Sequence, residues 1–133
     1  MNYFEPHLTP DELRAISAIG LAHMGDAVYE TLVRTWLCVH GKATGKELHR
    51  ATIALVCAQK QAELAQRVLP QLTEEELAVY KRGRNANVHA MPRSATPAQY
   101  HAATGLECLM GWLYLQGNKE RAEQLFHAMM EEE

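Results

Sequence analysis

The amino-acid sequence predicts an all-α fold, and three observations lead to this prediction. First, several threonines are followed three residues later by Glu or Gln, which is the spacing of a helix-capping box: Thr9, Thr44, Thr73 and Thr96. Second, residues that commonly end helices follow the segments with helical periodicity: Gly41, Pro70, Gly83 and Gly117. Third, no run alternates between apolar and polar residues as a half-buried strand does.

Each predicted helix follows from these start and stop signals. The first is predicted over 10–17, because Pro10 directly after Thr9 occupies the helix position at which a missing N–H costs nothing. The second runs up to Gly41, and the third begins after the Thr44 cap. In chain order, the helices after the first are predicted over 18–40, 45–69, 74–82, 97–116 and 119–130.

Two segments interrupt this regular pattern. The helix over 45–69 is expected to break near Leu55–Cys57, because β-branched side chains crowd together just before that point. The longest loop is predicted over 85–95, where no helical periodicity is visible. Loops of this length are often functional, so this one is a candidate for binding.

Length and composition indicate a single domain over residues 1–133. The chain is 47% hydrophobic and 22% charged, which is ordinary for a folded domain. We expect neither a membrane span nor a signal peptide, since no long apolar stretch occurs and the first residues lack a basic region. The cysteines Cys38, Cys57 and Cys108 have no CxxC spacing and predict a reducing compartment, so a cytoplasmic location is expected.

The net charge of −3 by itself disfavours nucleic acid as a partner, but the charge is unevenly distributed. Residues 31–60 and 81–100 each carry a net charge of +4, and the rest of the chain carries −11. One interpretation is that these segments are solvated faces and favourable charges near helix ends. The other is a surface that follows nucleic-acid phosphates, provided that the two segments meet in the fold.

Asp26 stands in the middle of a helix that the sequence predicts to be buried around much of its circumference. Asp is a poor helix former, and burying its charge without a partner is costly. Gly25 beside it indicates that another backbone approaches closely. A ladder from Asp26 through Glu30 to Arg34 is the structural alternative, and it accounts better for Glu30 and Arg34 than for Asp26.

Glu107 is the second unexpected carboxylate, because it is the one charged residue of the apolar segment 105–115. A buried glutamate there either stays neutral and bonds to a Tyr or His, or finds a cation. A divalent metal shared with Asp26 explains both carboxylates together. Oxygen ligands alone favour Mg²⁺ or Mn²⁺, which use few carboxylates and retain several waters.

Two motifs that contain these carboxylates resemble the catalytic domain of the ribonuclease III family. Gly25-Asp26-Ala27-Val28 is similar to the end of the family's first motif, and the segment from Glu107 to Tyr114 is close to its second. Further segments resemble the short members of the family, Mini-ribonuclease III, which lack a double-stranded-RNA-binding domain: Leu48–Thr52, Leu72–Glu76 and Arg82–Ala86. In order, these segments cover most of residues 13–117.

The resemblance implies a ribonuclease III-like helical bundle in which Asp26 and Glu107 are the catalytic and metal-binding residues, with Mg²⁺ or Mn²⁺ as cofactor. The larger family members carry two more carboxylates, at positions that are Ala22 and Thr104 here. Glu30 and Thr104 each lie one helical turn from a carboxylate and are candidates for orienting a metal-bound water. The ladder described above remains the first interpretation of Glu30.

The resemblance further implies an endoribonuclease that hydrolyses double-stranded RNA and leaves 5′-phosphate and 3′-hydroxyl ends. Maturation of precursor large-subunit (23S) ribosomal RNA is the expected role, with a ribosomal protein as a candidate for presenting the substrate. Duplex RNA is recognised through shape and backbone, and the expected RNA-binding residues are Lys42, Lys46, His49, Arg50, Lys81, Arg82, Arg84 and Asn85. A homodimer is expected, with interface candidates that core packing would equally explain: Met24, Trp36, Met110 and Trp112.

Two other functions stay open at this point. One is a catalytically weak RNA-binding or ribosome-assembly module, which would have no use for two carboxylates that are costly to bury. The other is a helical metal protein unrelated to RNA, which is disfavoured because the chain has no Glu-x-x-His pair. His23 and His101 lie near the motifs but are expected in the core or as hydrogen-bond donors, since hard cations prefer oxygen ligands.

Overall fold

The computed structural model describes residues 1–87 and 93–131, and within these ranges the chain forms α-helices and no strand. The helices are α1 Pro10–Arg14, α2 Ala18–Val39, α3 Gly45–Val56, α4 Ala58–Val68, α5 Glu74–Arg84, α6 Pro97–Leu115 and α7 Lys119–Met129, with a short 3-10 helix at Leu69–Gln71. The predicted all-α fold is confirmed. Part of the predicted loop over 85–95 lies outside the described residues.

The predicted helix starts are confirmed by their hydrogen bonds. Thr9, Thr73 and Thr96 each form a complete capping box with the Glu or Gln three residues later. Thr44 accepts a hydrogen bond from the backbone N–H of Glu47, which caps α3. These caps place the beginnings of four helices within one residue of their predicted positions.

Two predicted helix ends are wrong, and each has a local cause. The first helix ends at Arg14 rather than at residue 17, because the Ser17 hydroxyl caps α2 by accepting a 2.9 Å hydrogen bond from the N–H of Gly20. Helix α5 continues through Gly83 to Arg84 instead of stopping at the glycine. Gly83 is required there for contact with α6, since a Cβ would lie 2.9 Å from the Cα of Gly105.

The predicted break near Leu55–Cys57 is confirmed and separates α3 from α4. Cys57 has extended backbone angles, φ −66° and ψ 153°, between two helices. Two side chains from elsewhere in the fold bind the freed carbonyls at the end of α3. The Tyr29 hydroxyl donates to the Leu55 carbonyl at 2.7 Å, and the Gln61 amide donates to the Val56 carbonyl at 2.9 Å. The break is therefore held by tertiary contacts.

Helix α6 is the centre of the fold and packs against α2, α4, α5 and α7. Its crossing with α2 is close because glycines meet there. A Cβ on Gly25 would overlap the Glu107 carbonyl, and a Cβ on Gly111 would overlap the Leu21 carbonyl. The close backbone approach predicted for Gly25 is confirmed. The crossing places Asp26 and Glu107, each adjacent to a contact point, beside one another.

The apolar circumference of α6 is covered within the chain. Its fully buried side chains include Leu106, Leu109, Met110 and Leu113, which join one cluster with residues of α2, α4 and α7. Met110 is therefore a core residue, and its assignment as an interface candidate is wrong. Across the described ranges, no helix is both long and apolar enough to cross a membrane.

Candidate active site

Asp26 and Glu107 form a carboxylate pair at the α2–α6 crossing. Glu107 is half-buried, whereas Asp26 is exposed, so the expected burial of the Asp26 charge is wrong. Burial raises the pKa of Glu107, and the negative charge of the neighbouring Asp26 raises it further. Among the ion pairs of the described residues, none joins a Lys or Arg to either carboxylate. Both effects favour the protonated form of Glu107 when no cation is present, and a divalent cation bound by the pair would take the place of that proton.

Glu107 accepts a hydrogen bond from an amide side chain, and not from the Tyr or His that a neutral buried glutamate was expected to contact. Gln61, on α4, donates from Nε2 to Oε2 of Glu107 at 3.2 Å. Gln61 is only 2% exposed. The amide therefore binds the carboxylate on the side that faces the protein core.

A cleft of about 370 Å³ opens beside Glu107. It lies between the α3–α4 junction and the N-terminal half of α6. Its lining includes Cys57, Gln61, Tyr100, Thr104 and Glu107, with Ser94 and Ala95 at one side. The cleft leads solvent and small groups to the half-buried carboxylate.

Glu30 and Thr104, the candidates for orienting a water, occupy different surroundings. Glu30 forms an ion pair with Arg34, with 2.6 Å between Oε2 and Nη2, as the ladder predicted. Thr104 lines the cleft and is buried. Its hydroxyl donates to the Tyr100 carbonyl at 2.9 Å, which leaves the lone pairs of Oγ1 as acceptors.

The donor set fits a hard cation with few protein ligands. Within the described ranges, no group of three or more His, Cys, Asp and Glu residues is arranged to hold a metal ion. Two carboxylates are what remain at the crossing, and Mg²⁺ is commonly bound by one or two carboxylates plus water and substrate phosphate. Of the nearby histidines, His23 is exposed and His101 packs edge-on against Tyr100.

The chain belongs to the ribonuclease III family. The family model of the ribonuclease III domain matches residues 20–118. The chain is 45% identical over 108 residues to a Mini-ribonuclease 3 of Symbiobacterium thermophilum, covering 81% of this chain and 83% of that one. It is 42% identical over 118 residues to a Mini-ribonuclease 3 of Enterococcus faecalis, covering 87% and 89%. The resemblance to Mini-ribonuclease III is confirmed.

A solved structure shows the same fold for this ribonuclease III-family chain. The X-ray crystal structure of a protein from Fusobacterium nucleatum superposes with a TM-score of 0.81 at 28% identity. The superposition covers 89% of this chain and 94% of that one. The predicted ribonuclease III-like helical bundle is confirmed.

The residues expected to bind RNA lie in two separate exposed sets. Lys81, Arg82, Arg84 and Asn85 surround Gly83, which packs on α6 between Thr104 and Cys108 and so lies level with Glu107. The other set begins after α2 and continues through the first turns of α3: Lys42, Lys46, His49 and Arg50. Val56, the last residue of α3, lines the cleft. Lys46 lies ten residues earlier on the same helix, which corresponds to about 15 Å along its axis.

Sequence reasoning missed Gln61, although a signal was present. Gln61, Leu64, Ala65 and Val68 follow the spacing of one buried helix face, and all four are buried. A polar side chain on such a face needs an internal partner. The amphipathic pattern of α4 could therefore have indicated Gln61 as a residue that bonds inside the fold.

Proposed function

We propose that this chain is a metal-dependent endoribonuclease that hydrolyses double-stranded RNA to 5′-phosphate and 3′-hydroxyl ends. We further infer a cytoplasmic role in maturing precursor 23S ribosomal RNA. The observation that carries the proposal is the pairing of Asp26 and Glu107, without a Lys or Arg ion pair among the described residues, in a ribonuclease III-family chain. Such a pair is costly unless a cation or substrate makes use of it.

In this mechanism, Asp26 and Glu107 would hold Mg²⁺ or Mn²⁺ against the scissile phosphate. The ion, when bound, supplies Lewis acidity for the attack of water on phosphorus. The chain's own contribution is to fix two oxygen ligands on rigid helices and to exclude bulk water from the buried side of Glu107. Thr104 offers an acceptor lone pair in the cleft for a water near Glu107. Glu30 is less suited to this task, because Arg34 already binds its carboxylate.

RNA would be bound by the two exposed basic sets. Arg84 and Asn85 follow Gly83, which packs on α6 within three residues of Glu107, and we propose that they contact the strand near the scissile bond. Lys46, His49 and Arg50 lie further along α3 and would contact phosphates away from that bond. Exposed cations on both α3 and α5 suit a duplex that contacts both helices, since duplex RNA is read through its backbone and shape.

Cutting both strands of a duplex requires two sites, so we propose a two-fold homodimer. An apolar groove of about 420 Å³ supports this part of the proposal, and its lining includes Phe4, Met24, Val28, Leu32 and Tyr114. Three of these residues lie on α2, the helix that carries Asp26. Each protomer of such a dimer would contribute one carboxylate pair, so each strand of the duplex would be cut at its own site.

The test is incubation of the protein with a structured RNA, with and without Mg²⁺, followed by end-group analysis. We expect cleavage that depends on the metal and produces 5′-phosphate ends. Asp26→Asn and Glu107→Gln should fold and bind the RNA without cutting it. Cleavage by wild-type protein in excess chelator would contradict the mechanism, and binding without any cleavage would favour the RNA-binding or ribosome-assembly module.

The substrate is tested separately from the chemistry. Precursor 23S ribosomal RNA is compared with an unrelated duplex of equal length, each with and without added ribosomal proteins. We expect cleavage at a defined position in the precursor, and faster cleavage if a ribosomal protein presents the site. Equal and unselective cutting of both RNAs would remove the ribosomal role while leaving the nuclease activity intact.

A further inference from the structure

We propose that Gln61 is a positioning residue of the carboxylate pair, which fixes the Glu107 carboxylate for metal binding by donating a hydrogen bond to one of its oxygens. This inference rests on the proposed function above. Gln61 lies on α4, whereas the two carboxylates proposed to bind the metal lie on α2 and α6.

The orientation of the Gln61 amide is determined by its surroundings. Nε2 carries two hydrogens, and two acceptors face it, the Val56 carbonyl at 2.9 Å and Glu107 Oε2 at 3.2 Å. If the amide were reversed, Oε1 would face two other acceptor oxygens and could form no hydrogen bond with either. The amide group thus joins the end of α3 to the carboxylate on α6, and neither donor is free for another partner.

The remaining atom of this amide argues against a purely structural role. Gln61 Oε1 is buried and has no hydrogen-bond partner. An apolar side chain would fit the buried face of α4 without leaving an unpaired acceptor, since Leu64, Ala65 and Val68 complete that face. Buried unpaired polar atoms in native folds call for an explanation, and a task performed by the other end of the amide provides one.

The bond to Oε2 has a direct consequence for metal binding. A half-buried glutamate without a donor is free to rotate its carboxylate about the last side-chain torsion, which is broad. Gln61 removes that freedom and keeps one oxygen on the core side. The other oxygen is then left for the cation shared with Asp26. Partners that orient a ligand in this way commonly change metal affinity by about 10- to 100-fold.

The experiment measures Mn²⁺ binding to the protein without RNA, by the electron paramagnetic resonance signal of free Mn²⁺. Gln61→Met preserves side-chain length and burial but removes the donor, and we expect the dissociation constant to rise about tenfold or more. Gln66→Met is the matched control, since Gln66 is exposed on the same helix, and it should bind Mn²⁺ like wild type. In RNA cleavage, Gln61→Met should lower kcat with little change in KM.

A second control separates the role at Glu107 from the role at the α3–α4 junction. Tyr29→Phe removes the hydroxyl that binds the Leu55 carbonyl, so it loosens the same junction without removing a donor to Glu107. We expect it to lower the melting temperature but to leave Mn²⁺ affinity unchanged. If Mn²⁺ affinity falls equally in Tyr29→Phe and Gln61→Met, Gln61 acts only through the junction and the inference is wrong.

A measurement on wild-type protein keeps the test independent of folding in the variants. In the proton–nitrogen NMR spectrum, the side-chain amide of Gln61 should shift on addition of Mg²⁺, while that of Gln66 should not. An unmoved Gln61 resonance at saturating Mg²⁺ would overturn the inference. If Asp26→Asn abolishes Mn²⁺ binding while Gln61→Met retains it, the carboxylate site stands and the role of Gln61 fails alone.

Discussion

Substituting Gly25 by alanine tests whether the α2–α6 crossing sets the carboxylate pair. A Cβ at Gly25 would overlap the Glu107 carbonyl oxygen and lie 2.5 Å from its carbon and 2.8 Å from the Gly111 nitrogen. Carbon atoms need about 3.5 to 4.0 Å from such neighbours, so the helices must separate by on the order of 1 Å or more. Every obstructing atom belongs to a backbone, which cannot move aside as a flexible side chain would.

The expected cost follows from this overlap. Overpacking in cores costs about 1 to 3 kcal/mol, and the backbone clash places Gly25→Ala at or above the upper end. A loss of about 3 kcal/mol corresponds to a fall in melting temperature of about 10 °C for a domain of this size. Because the displaced atoms belong to Glu107, Mn²⁺ affinity should fall together with stability.

The assay is urea unfolding with parallel measurement of Mn²⁺ binding. Gly45→Ala serves as the control, because Gly45 lies in α3 and a Cβ there meets nothing within 4 Å. It should be neutral or stabilising by up to about 1 kcal/mol. If Gly25→Ala unfolds within about 1 kcal/mol of wild type and binds Mn²⁺ equally well, the crossing does not fix the site as argued.

Three further predictions concern RNA binding, acid stability and thiol reactivity. Arg84→Ala should weaken binding of duplex RNA of any sequence and reduce the salt dependence of the affinity by about one phosphate contact; an unchanged slope would show that Arg84 contacts no phosphate. Arg121 binds Glu76 through two hydrogen bonds of 2.8 and 2.9 Å and holds the pKa of that carboxyl below its usual range. The pair therefore stabilises the fold above the usual glutamate pKa and loses this contribution as the pH falls through the lowered value. At pH 7, Glu76→Gln should lower the free energy of unfolding by about 1.5 to 3 kcal/mol, and urea titrations should show that the difference from wild type narrows toward pH 3. Burial raises the pKa of Cys108 to about 11. A thiol reagent at pH 8 should therefore react rapidly with the exposed Cys38 and Cys57 of the native protein and slowly with Cys108. Rapid modification of all three cysteines would contradict the burial of Cys108.

Local signals in the sequence were sufficient for most helix boundaries. The Thr9, Thr73 and Thr96 caps depend on residues three positions away, so the sequence displays them directly. The end of α5 was not predictable in this way, because Gly83 looks like a helix stop in isolation. What it contacts, the backbone of α6, is about twenty residues further along the chain, and only the folded structure brings the two together.

The same distinction applies to the candidate site. Glu107 could be selected because a charge in an apolar helix is unfavourable wherever the helix packs. The same argument was wrong for Asp26, which is exposed, and Asp26 is identified instead by its place beside Gly25 in the first family motif. Gln61 carries no charge, and its significance depends on which carboxylate and which carbonyl lie beside it. The two basic sets were recognised from charge alone, and the structure shows that all eight residues are exposed.

The glycine contact between α2 and α6 has a consequence for how the chain acquires its site. Asp26 and Glu107 sit on segments that meet only when the central core forms, so the spacing of their carboxylates is established during folding and not during substrate encounter. In the proposed mechanism, folding has therefore already ordered the two oxygen donors before an ion binds.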